Sequence, residues 1–192
     1  DPLWSRGLGD VYKRQVKARA FVDGQALGRE RTWTIDPAML RTRLSAQLKL
    51  CTDKVPLTMI DDAPADFSKR PMMFVDVLNP CWIWEGADLA KGAAFSARIS
   101  QIPFNFQVGA DRDKIPLRAP ATPGGELEIR AGCEGERLAV LPLGKASDNP
   151  GLSTITGRLP ARPGKVDLCL TFTAKSVDPF WVIERVTLNP AP

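Results

Sequence analysis

The residues of this chain whose types and spacing suit ligand binding are aromatic side chains that lie close to polar ones. Flat aromatic rings stack on apolar surfaces such as the faces of pyranose sugars, and nearby polar side chains then bind the hydroxyl groups. Trp82 and Trp84 are two positions apart, so in a strand they share one face. The full candidate set is Trp82, Trp84, Phe104, Asn105, Phe106, Asp178, Phe180 and Trp181.

The same aromatic residues have an alternative interpretation as hydrophobic core. Aromatic side chains dominate the energetics of protein cores, and this interpretation is favoured for Trp82 and Trp84. Phe104 and Phe106 follow Pro103 in a predicted loop, where a core position is harder to explain. For Trp181, ligand binding and core packing are equally good accounts.

Four cysteines are the other residues with distinctive chemistry. Cys51, Cys81, Cys133 and Cys169 include no CxxC pair, which is a poor spacing for a zinc site. They permit two disulfides in an oxidising compartment, or four buried thiols. We expect at least one disulfide. Cys133 follows one predicted strand and Cys169 lies on another, so a bridge between them would link two strands, but other pairings stay open.

Carboxylates occur in pairs that do not indicate catalysis. Asp61 and Asp62 are typical of a turn, and Glu126 and Glu128 alternate with apolar residues, which predicts a solvated strand face. The chain contains no His, so Ser–His and Cys–His nucleophile pairs are excluded. Because His is the commonest metal ligand in proteins, the chain also lacks that ligand.

Composition narrows the class of protein further. The 192 residues carry a net charge of +4 without a basic run long enough for a phosphate backbone, so we expect no nucleic-acid partner. No apolar run reaches the roughly 18 residues of a membrane-spanning helix, so we expect no membrane partner. The high counts of 15 Gly and 17 Pro favour a loop-rich β domain.

Period-two alternation predicts an all-β fold with many short strands. A β-hairpin is predicted over 16–36 with its turn at Asp23-Gly24, followed by a short helix over 37–47 that starts at Asp36-Pro37. The polar run 61–70 is the best linker. The strands that follow, separated by Gly and Pro, predict an antiparallel sandwich. They are 72–78, 82–85, 93–101, 126–131, 136–142, 152–159, 165–173 and 181–188.

The first fifteen residues do not fit this pattern. Their ending, GLGDVYKRQ, resembles translated adapter sequence found at the ends of assembled metagenomic reading frames, and we expect a non-native tail. The predicted domain organisation is therefore a tail over 1–15, a small β remnant with a helix over 16–63, and a sandwich over 64–192.

Several motifs resemble accessory regions of carbohydrate-active enzymes. GGELEIR, KVDLCLTFT and DPFWVIERVTL resemble the C-terminal half of jelly-roll carbohydrate-binding modules. VKARAFVDGQALGRERTWTID resembles the last strands of the small β domain beside the catalytic barrel of bacterial family 20 glycoside hydrolases, the β-N-acetylhexosaminidases and chitobiases. NPCW and PFNFQ resemble the C-terminal jelly-roll region of some of those enzymes.

This resemblance implies an all-β jelly-roll accessory domain. It implies a non-catalytic role, because the barrel that performs the family's chemistry needs about 200 residues or more. The implied partners are GlcNAc-containing glycans and the catalytic barrel of the parent enzyme, and the implied location is periplasmic or secreted. Asp178, Phe180 and Trp181 lie where such modules contact ligands, and Glu184 is near an acidic position that holds structural calcium in some of them. The alternatives are an exposed Glu184 beside Arg185, and a purely structural β-sandwich without a sugar site.

Overall fold

Alternating polar and apolar residues form strands along about half of this chain. The computed structural model describes residues 14–22, 25–35, 41–62 and 64–190. The first of two compact units spans residues 1–42. It contains an antiparallel hairpin of β1 (Arg14–Val22) and β2 (Gln25–Ile35), which confirms the predicted hairpin. Its predicted turn at Asp23-Gly24 and residues 1–13 of the predicted tail lie outside the described residues.

The second unit, residues 43–192, holds the remaining strands. Each predicted strand from residue 72 onward is present within a few residues of its expected ends, which confirms the all-β class. The strands are β3 (Thr42–Leu44), β4 (Lys49–Leu50), β5 (Pro56–Ile60), β6 (Met72–Asp76), β7 (Cys81–Asp88), β8 (Ala93–Ile102), β9 (Glu126–Ala131), β10 (Arg137–Pro142), β11 (Ser153–Leu159), β12 (Lys165–Phe172) and β13 (Phe180–Pro190). Among the described residues, the only helical segments are short 3-10 turns at Ser45–Gln47, Phe67–Lys69, Gly109–Lys114 and Gly144–Asp148.

Two antiparallel sheets and a separate hairpin make up this unit. One sheet has the order β10-β9-β12-β7-β4, and the other has the order β11-β8-β13-β3. Strands that are distant in sequence lie side by side, as β8 and β13 do. β5 and β6 pair only with each other. This non-local pairing is typical of a jelly-roll sandwich.

One hydrophobic core fills the second unit between its strands. The five-stranded sheet contributes fully buried Trp82, Leu127 and Leu170, and the four-stranded sheet contributes Phe95 and Ile183. These positions follow the period-two pattern that predicted the strands. Burial of each such side chain contributes roughly 1.5–3 kcal/mol.

The helix predicted over 37–47 is wrong in its described part. Thr42–Leu44 form β3 beside β13, and Ser45–Gln47 form a single 3-10 turn. Residues 36–40 lie outside the described residues. The spacing of Leu44 and Leu48 suits a helix, but Leu48 is buried while Leu44 is 39% exposed. Pairing with the edge of β13 overrides the local helix preference, since propensity is a weak prior.

The predicted boundary between residues 63 and 64 differs from the observed division of the chain. The two compact units divide between Thr42 and Arg43. The predicted linker 61–70 connects β5 to β6, and these strands pair over five residues from Pro56↔Asp76 to Ile60↔Met72. Segments β4 and β5 therefore belong to the second unit, because their hydrogen-bond partners lie there. None of the helices among the described residues has the length and apolar character needed to span a membrane.

Candidate functional site

Three loops that follow strand ends surround an open cleft of about 450 Å³. We call it the loop-end cleft. One wall is the segment 120–125 before β9, a second is the 147–148 turn after β10, and the third is the segment 173–179 between β12 and β13. Gln101 of β8 and Trp181 of β13 complete the lining. Two of the residues predicted from sequence, Asp178 and Trp181, meet here.

Trp181 lines this cleft and also packs in the core. Its ring stacks on Phe172, with centroids 5.7 Å apart and an interplanar angle of 27°. Only 6% of the residue is exposed, so the ring face belongs to the core. Its indole N–H has no hydrogen-bond partner among the described residues, and none of their buried side-chain N or O atoms is unpaired. The Nε1 donor therefore reaches solvent.

Exposed polar side chains line the rim of the loop-end cleft. Asp148, Lys175, Ser176 and Asp178 are all exposed. The Asp178 carboxylate accepts a hydrogen bond from the Phe104 backbone N–H at 3.1 Å, which orients one of its oxygens. The side chains of Asp148 and Lys175 have no such partner in the described part of the chain. The rim thus offers an acceptor and a cationic donor that protein groups do not occupy.

Gln101 holds the wall formed by the 147–148 turn. Its side-chain amide donates to the carbonyl oxygen of Ser147 at 2.8 Å and to that of Asn149 at 3.1 Å. The Asn149 side chain in turn bonds Ser153 at the start of β11. These contacts tie an otherwise exposed turn to two strands of the four-stranded sheet.

Glu126 holds the wall formed by 120–125. Its buried carboxylate accepts hydrogen bonds from the backbone N–H groups of Ala121, at 3.2 Å, and Thr122, at 2.5 Å, and one from the Thr173 hydroxyl. Burial alone would raise the pKa of Glu126, but the hydrogen bonds from Thr173, Thr122 and Ala121 lower it below its ordinary value. The carboxylate is therefore a structural anion that positions the loop.

The solvated face predicted for Glu126 and Glu128 is wrong. Both residues are buried, with 1% and 5% exposure. Glu128 pairs with Arg118 and with Arg130, the latter at 2.6 Å. Burial opposes this charge, but the hydrogen bonds from the two arginines keep the pKa of Glu128 low. Alternation does not reveal this burial, because it depends on the loop before β9, which supplies Arg118, Ala121 and Thr122, folding back over the outer face.

The remaining aromatic candidates lie mainly inside the sandwich. Trp82 has no exposed surface, and its Nε1 donates to the Phe74 carbonyl at 2.7 Å. Trp84 is 7% exposed, with the Arg43 guanidinium 5.0 Å above its ring. Neither ring presents a free face to a ligand, so both fit the core interpretation.

The loop aromatics form a cluster of their own. Phe104, Phe106 and Phe180 contact one another edge to face, with centroids 5.2 to 5.6 Å apart. Arg112 lies 5.2 Å from the Phe104 ring, which is only 8% exposed. Asn105 is exposed between them. This cluster supports the base of the loop from which Phe104 bonds Asp178.

Glu184 lines a second cavity, of about 300 Å³, beside β6. Glu184 is 3% exposed, and its carboxylate receives two hydrogen bonds from the Arg185 guanidinium, at 2.6 and 2.8 Å. Arg98 adds an ion pair at 3.6 Å. The predicted exposure of Glu184 is wrong, although its pairing with Arg185 is as expected. Its calcium role stays a prediction.

Both disulfides lie at one place in the sandwich. Cys133 pairs with Cys169, as the sequence suggested, and Cys51 pairs with Cys81. The described residues contain no free cysteine. The two bridges span 36 and 30 residues and connect loops and strands that only the fold brings together. The expectation of at least one disulfide is confirmed.

The sandwich has a jelly-roll architecture, and solved structures of carbohydrate-binding modules share this fold. A β-1,3-glucan-binding family 6 module from Bacillus halodurans is similar, with a TM-score of 0.51 and 16% identity, over 77% of this chain and 94% of that one. A family 6 module from Clostridium cellulolyticum, solved with xylose, has a TM-score of 0.47 and 16% identity, over 77% and 95% of the two chains. At 16% identity, the similarity to the Bacillus halodurans module establishes the fold alone. No protein-family model matches the chain, and no curated protein matches its sequence.

Proposed function

We propose that this chain is a non-catalytic carbohydrate-binding domain whose ligand occupies the loop-end cleft. The observation that carries the proposal is the combination, in the lining of one open cleft, of Trp181 with the exposed polar groups of Asp148, Lys175 and Asp178. Sugar sites use this pattern of a small apolar surface and a few directed polar groups. The shared jelly-roll architecture is consistent with it.

The ligand class that we propose is a GlcNAc-containing glycan. This choice rests on the sequence motifs that resemble the accessory region of family 20 glycoside hydrolases. The cleft has both acceptor and donor groups, which suits a sugar with hydroxyl and acetamido substituents. We further propose that the domain accompanies the catalytic barrel of such an enzyme outside the cytoplasm. Two disulfides support an oxidising compartment.

The experiment is an oligosaccharide titration of the purified chain. Tryptophan fluorescence is followed on addition of chitotriose, cellotriose and laminaritriose. Because Trp181 lines the cleft, saturable quenching or a spectral shift with chitotriose is the expected result. Saturation with laminaritriose or cellotriose instead would retain carbohydrate binding and overturn the GlcNAc assignment. No response to any of the three at millimolar concentration, confirmed by calorimetry, would overturn the binding function.

Variants of the cleft locate the site. Lys175→Ala, Asp178→Ala and Trp181→Phe each remove one polar contact, and the last keeps an aromatic ring in the core. Loss of one hydrogen bond corresponds to about 1 kcal/mol, or roughly 5-fold weaker binding for each. Lys69→Ala, in the second cavity, is the matched control and leaves affinity unchanged. Equal affinity for the sugar in all four variants would show that the ligand binds outside the loop-end cleft.

A second function, that of an interaction domain without a sugar site, is favoured by a specific surface. Ile60 and Met72 form a cross-strand pair on the β5–β6 hairpin and are 44% and 45% exposed. Leu44, at 39% exposure, lines the same cavity as Met72. Exposed apolar groups of this kind mark contact surfaces. Charged replacements at Ile60 and Met72 would disrupt such a contact while leaving sugar titrations unchanged.

A further inference from the structure

The two disulfides form a single cluster of four sulfur atoms. All four Sγ atoms lie within 4.8 Å of one another. Between the bridges, Cys81 lies 3.4 Å from Cys169 and 3.9 Å from Cys133, and Cys51 lies 3.6 Å from Cys133. Each sulfur therefore has close neighbours other than its own bonded partner.

The backbone at these cysteines is held by contacts besides the bridges themselves. Cys81 begins β7 and Cys169 lies within β12, which pair with each other. The Cys51 N–H donates to the Cys81 carbonyl at 3.2 Å. The Arg118 guanidinium donates to the Cys133 carbonyl at 3.0 Å. Breaking the sulfur–sulfur bonds therefore leaves other hydrogen bonds that hold the four positions close together.

A cavity of about 250 Å³ opens onto the cluster. Cys51, Cys81 and Cys133 line it, together with Arg118. Cys51 and Cys133 are only partly buried, whereas Cys81 and Cys169 are buried. A small reductant or a metal ion thus has a path to the sulfurs. The Arg118 guanidinium beside them is ion-paired with Glu128 and also donates to the Cys133 carbonyl.

We propose that the reduced form of this cluster is a tetrathiolate site for a soft divalent cation, with zinc as the expected metal. Zinc bound by four thiolates is tetrahedral with Zn–S bonds of about 2.3 Å, which places neighbouring sulfurs about 3.8 Å apart. Three of the four Sγ–Sγ distances between the bridges, 3.4 to 3.9 Å, are close to that edge length, and the fourth lies within 4.8 Å. The sequence spacing without CxxC conceals the site because four separate segments supply its ligands.

The chemistry of the conversion balances with a dithiol as reductant. Each protein disulfide takes two electrons and two protons from one dithiol, which is oxidised to its own disulfide. Two bridges thus yield four thiols and consume two dithiols. Binding of one Zn²⁺ then releases four protons and forms four metal–sulfur bonds. The resulting site has a net charge of 2−, close to the Arg118 guanidinium.

The test uses cobalt as the spectroscopic probe on the full chain. The chain is reduced with dithiothreitol, desalted under nitrogen and titrated with Co²⁺. The expected result is one tightly bound Co²⁺ per chain, with intense visible bands of tetrahedral cobalt and sulfur-to-metal charge transfer of four thiolates. Zn²⁺ displaces the cobalt, and about four protons are released per metal. The oxidised chain shows none of these signals.

Two variants identify the ligands. The double variant Cys51→Ser/Cys133→Ser loses the tetrathiolate spectrum and binds Co²⁺ at least about 100-fold more weakly. Asp111→Asn removes an exposed carboxylate that does not line the cavity at the cluster, and this variant binds Co²⁺ as the parent does. Far-UV circular dichroism is recorded alongside, and β structure that is retained, or restored by Zn²⁺, supports the site. Absence of cobalt binding, an octahedral spectrum, or an unchanged spectrum in the double variant overturns the proposal.

Discussion

Thr173 and Glu126 exchange hydrogen bonds where β12 ends and β9 begins. The Thr173 hydroxyl donates to the Glu126 carboxylate, and the Glu126 backbone N–H donates to that hydroxyl at 2.8 Å. Both residues are buried. Because the segments next to them form two walls of the loop-end cleft, this exchange couples the shape of the cleft to the core of the sandwich.

Replacement of Glu126 by Gln is expected to destabilise the fold by about 2 to 3 kcal/mol. The amide keeps the shape of the side chain but loses the charge that accepts several donors, and its NH₂ group opposes one of them. Urea unfolding followed by tryptophan fluorescence measures the change. Glu85→Gln is the control, because Glu85 forms an exposed ion pair with Lys49 and its replacement changes stability by less than about 1 kcal/mol.

Acid should weaken the fold through buried carboxylates. Burial alone would raise the pKa of Asp76 and of Glu126, but hydrogen bonds to the two carboxylates outweigh burial and lower both pKa values. The Asp76 carboxylate accepts hydrogen bonds from the Thr52 hydroxyl and from the backbone N–H groups of Lys54, Leu78 and Val55. A carboxyl whose pKa is depressed by folding contributes stability above its unfolded pKa, here the ordinary values of 3.8 for Asp and 4.5 for Glu. That contribution is lost as the pH falls through the folded pKa.

The expected measurement is a melting temperature that is steady near neutrality and falls below about pH 5. In Glu126→Gln and Asp76→Asn the fall is shallower, because one titrating group is gone. A melting temperature that rises on acidification between pH 5 and pH 3 would contradict this account.

Two glycines test how closely the 120–125 wall approaches β12. Gly125 and Gly164 both have positive φ, at 78° and 76°. A Cβ at Gly125 would collide with the Thr173 carbonyl oxygen, whereas nothing lies within 4 Å of one at Gly164. Gly164→Ala should therefore cost only the conformational penalty, about 1 to 2 kcal/mol.

Gly125→Ala should cost at least about 1 to 3 kcal/mol more than Gly164→Ala, because the backbone must move as well. Gly125→Ala should also weaken the binding of a ligand in the loop-end cleft, whereas Gly164→Ala should leave that affinity unchanged. Comparable denaturation midpoints for the two variants would show that the 120–125 segment can move away from Thr173 without a loss of stability.

Removal of the Cys133–Cys169 bridge tests how much the bridge contributes to the free energy of unfolding. Closing a loop of 36 residues corresponds to about 4 kcal/mol in the chain-entropy account. The double variant Cys133→Ser/Cys169→Ser should lose up to that amount in chemical denaturation without reductant. The matched variant Cys51→Ser/Cys81→Ser, with a separation of 30, should lose nearly as much. A loss below about 1 kcal/mol in both would contradict a structural role for the bridges.

The strands were accessible from sequence because their signal is local. In β12, Leu168, Leu170 and Phe172 recur at every second position and all three are buried. The predicted helix over 37–47 failed because β3 depends on a partner strand more than 130 residues away, which no local pattern records. Sequence reasoning located the strands better than it located the partners that cover them.

The candidate site was only partly accessible for the same reason. Asp178 and Trp181 are neighbours in sequence and were found together, but nothing marked Gln101 or Lys175, and alternation at Glu126 predicted a solvated face. The cleft arises because segments 120–125, 147–148 and 173–179, which are far apart in the chain, meet there. A buried carboxylate such as Glu126 looks like any alternating polar residue until its donors, the backbone groups of Ala121 and Thr122, are placed beside it.

The hydrogen bonds from Gln101 to the 147–148 turn have a consequence for engineering. Gln101 contacts main-chain carbonyls of Ser147 and Asn149, so the anchor does not depend on which side chains the turn carries. Residues 145 and 148, whose side chains are exposed, can therefore be randomised in a library while the sandwich and the course of the turn are preserved. Ser147 is kept, because its hydroxyl donates to the Gly144 carbonyl. New recognition properties can be selected on this wall without redesigning the scaffold beneath it.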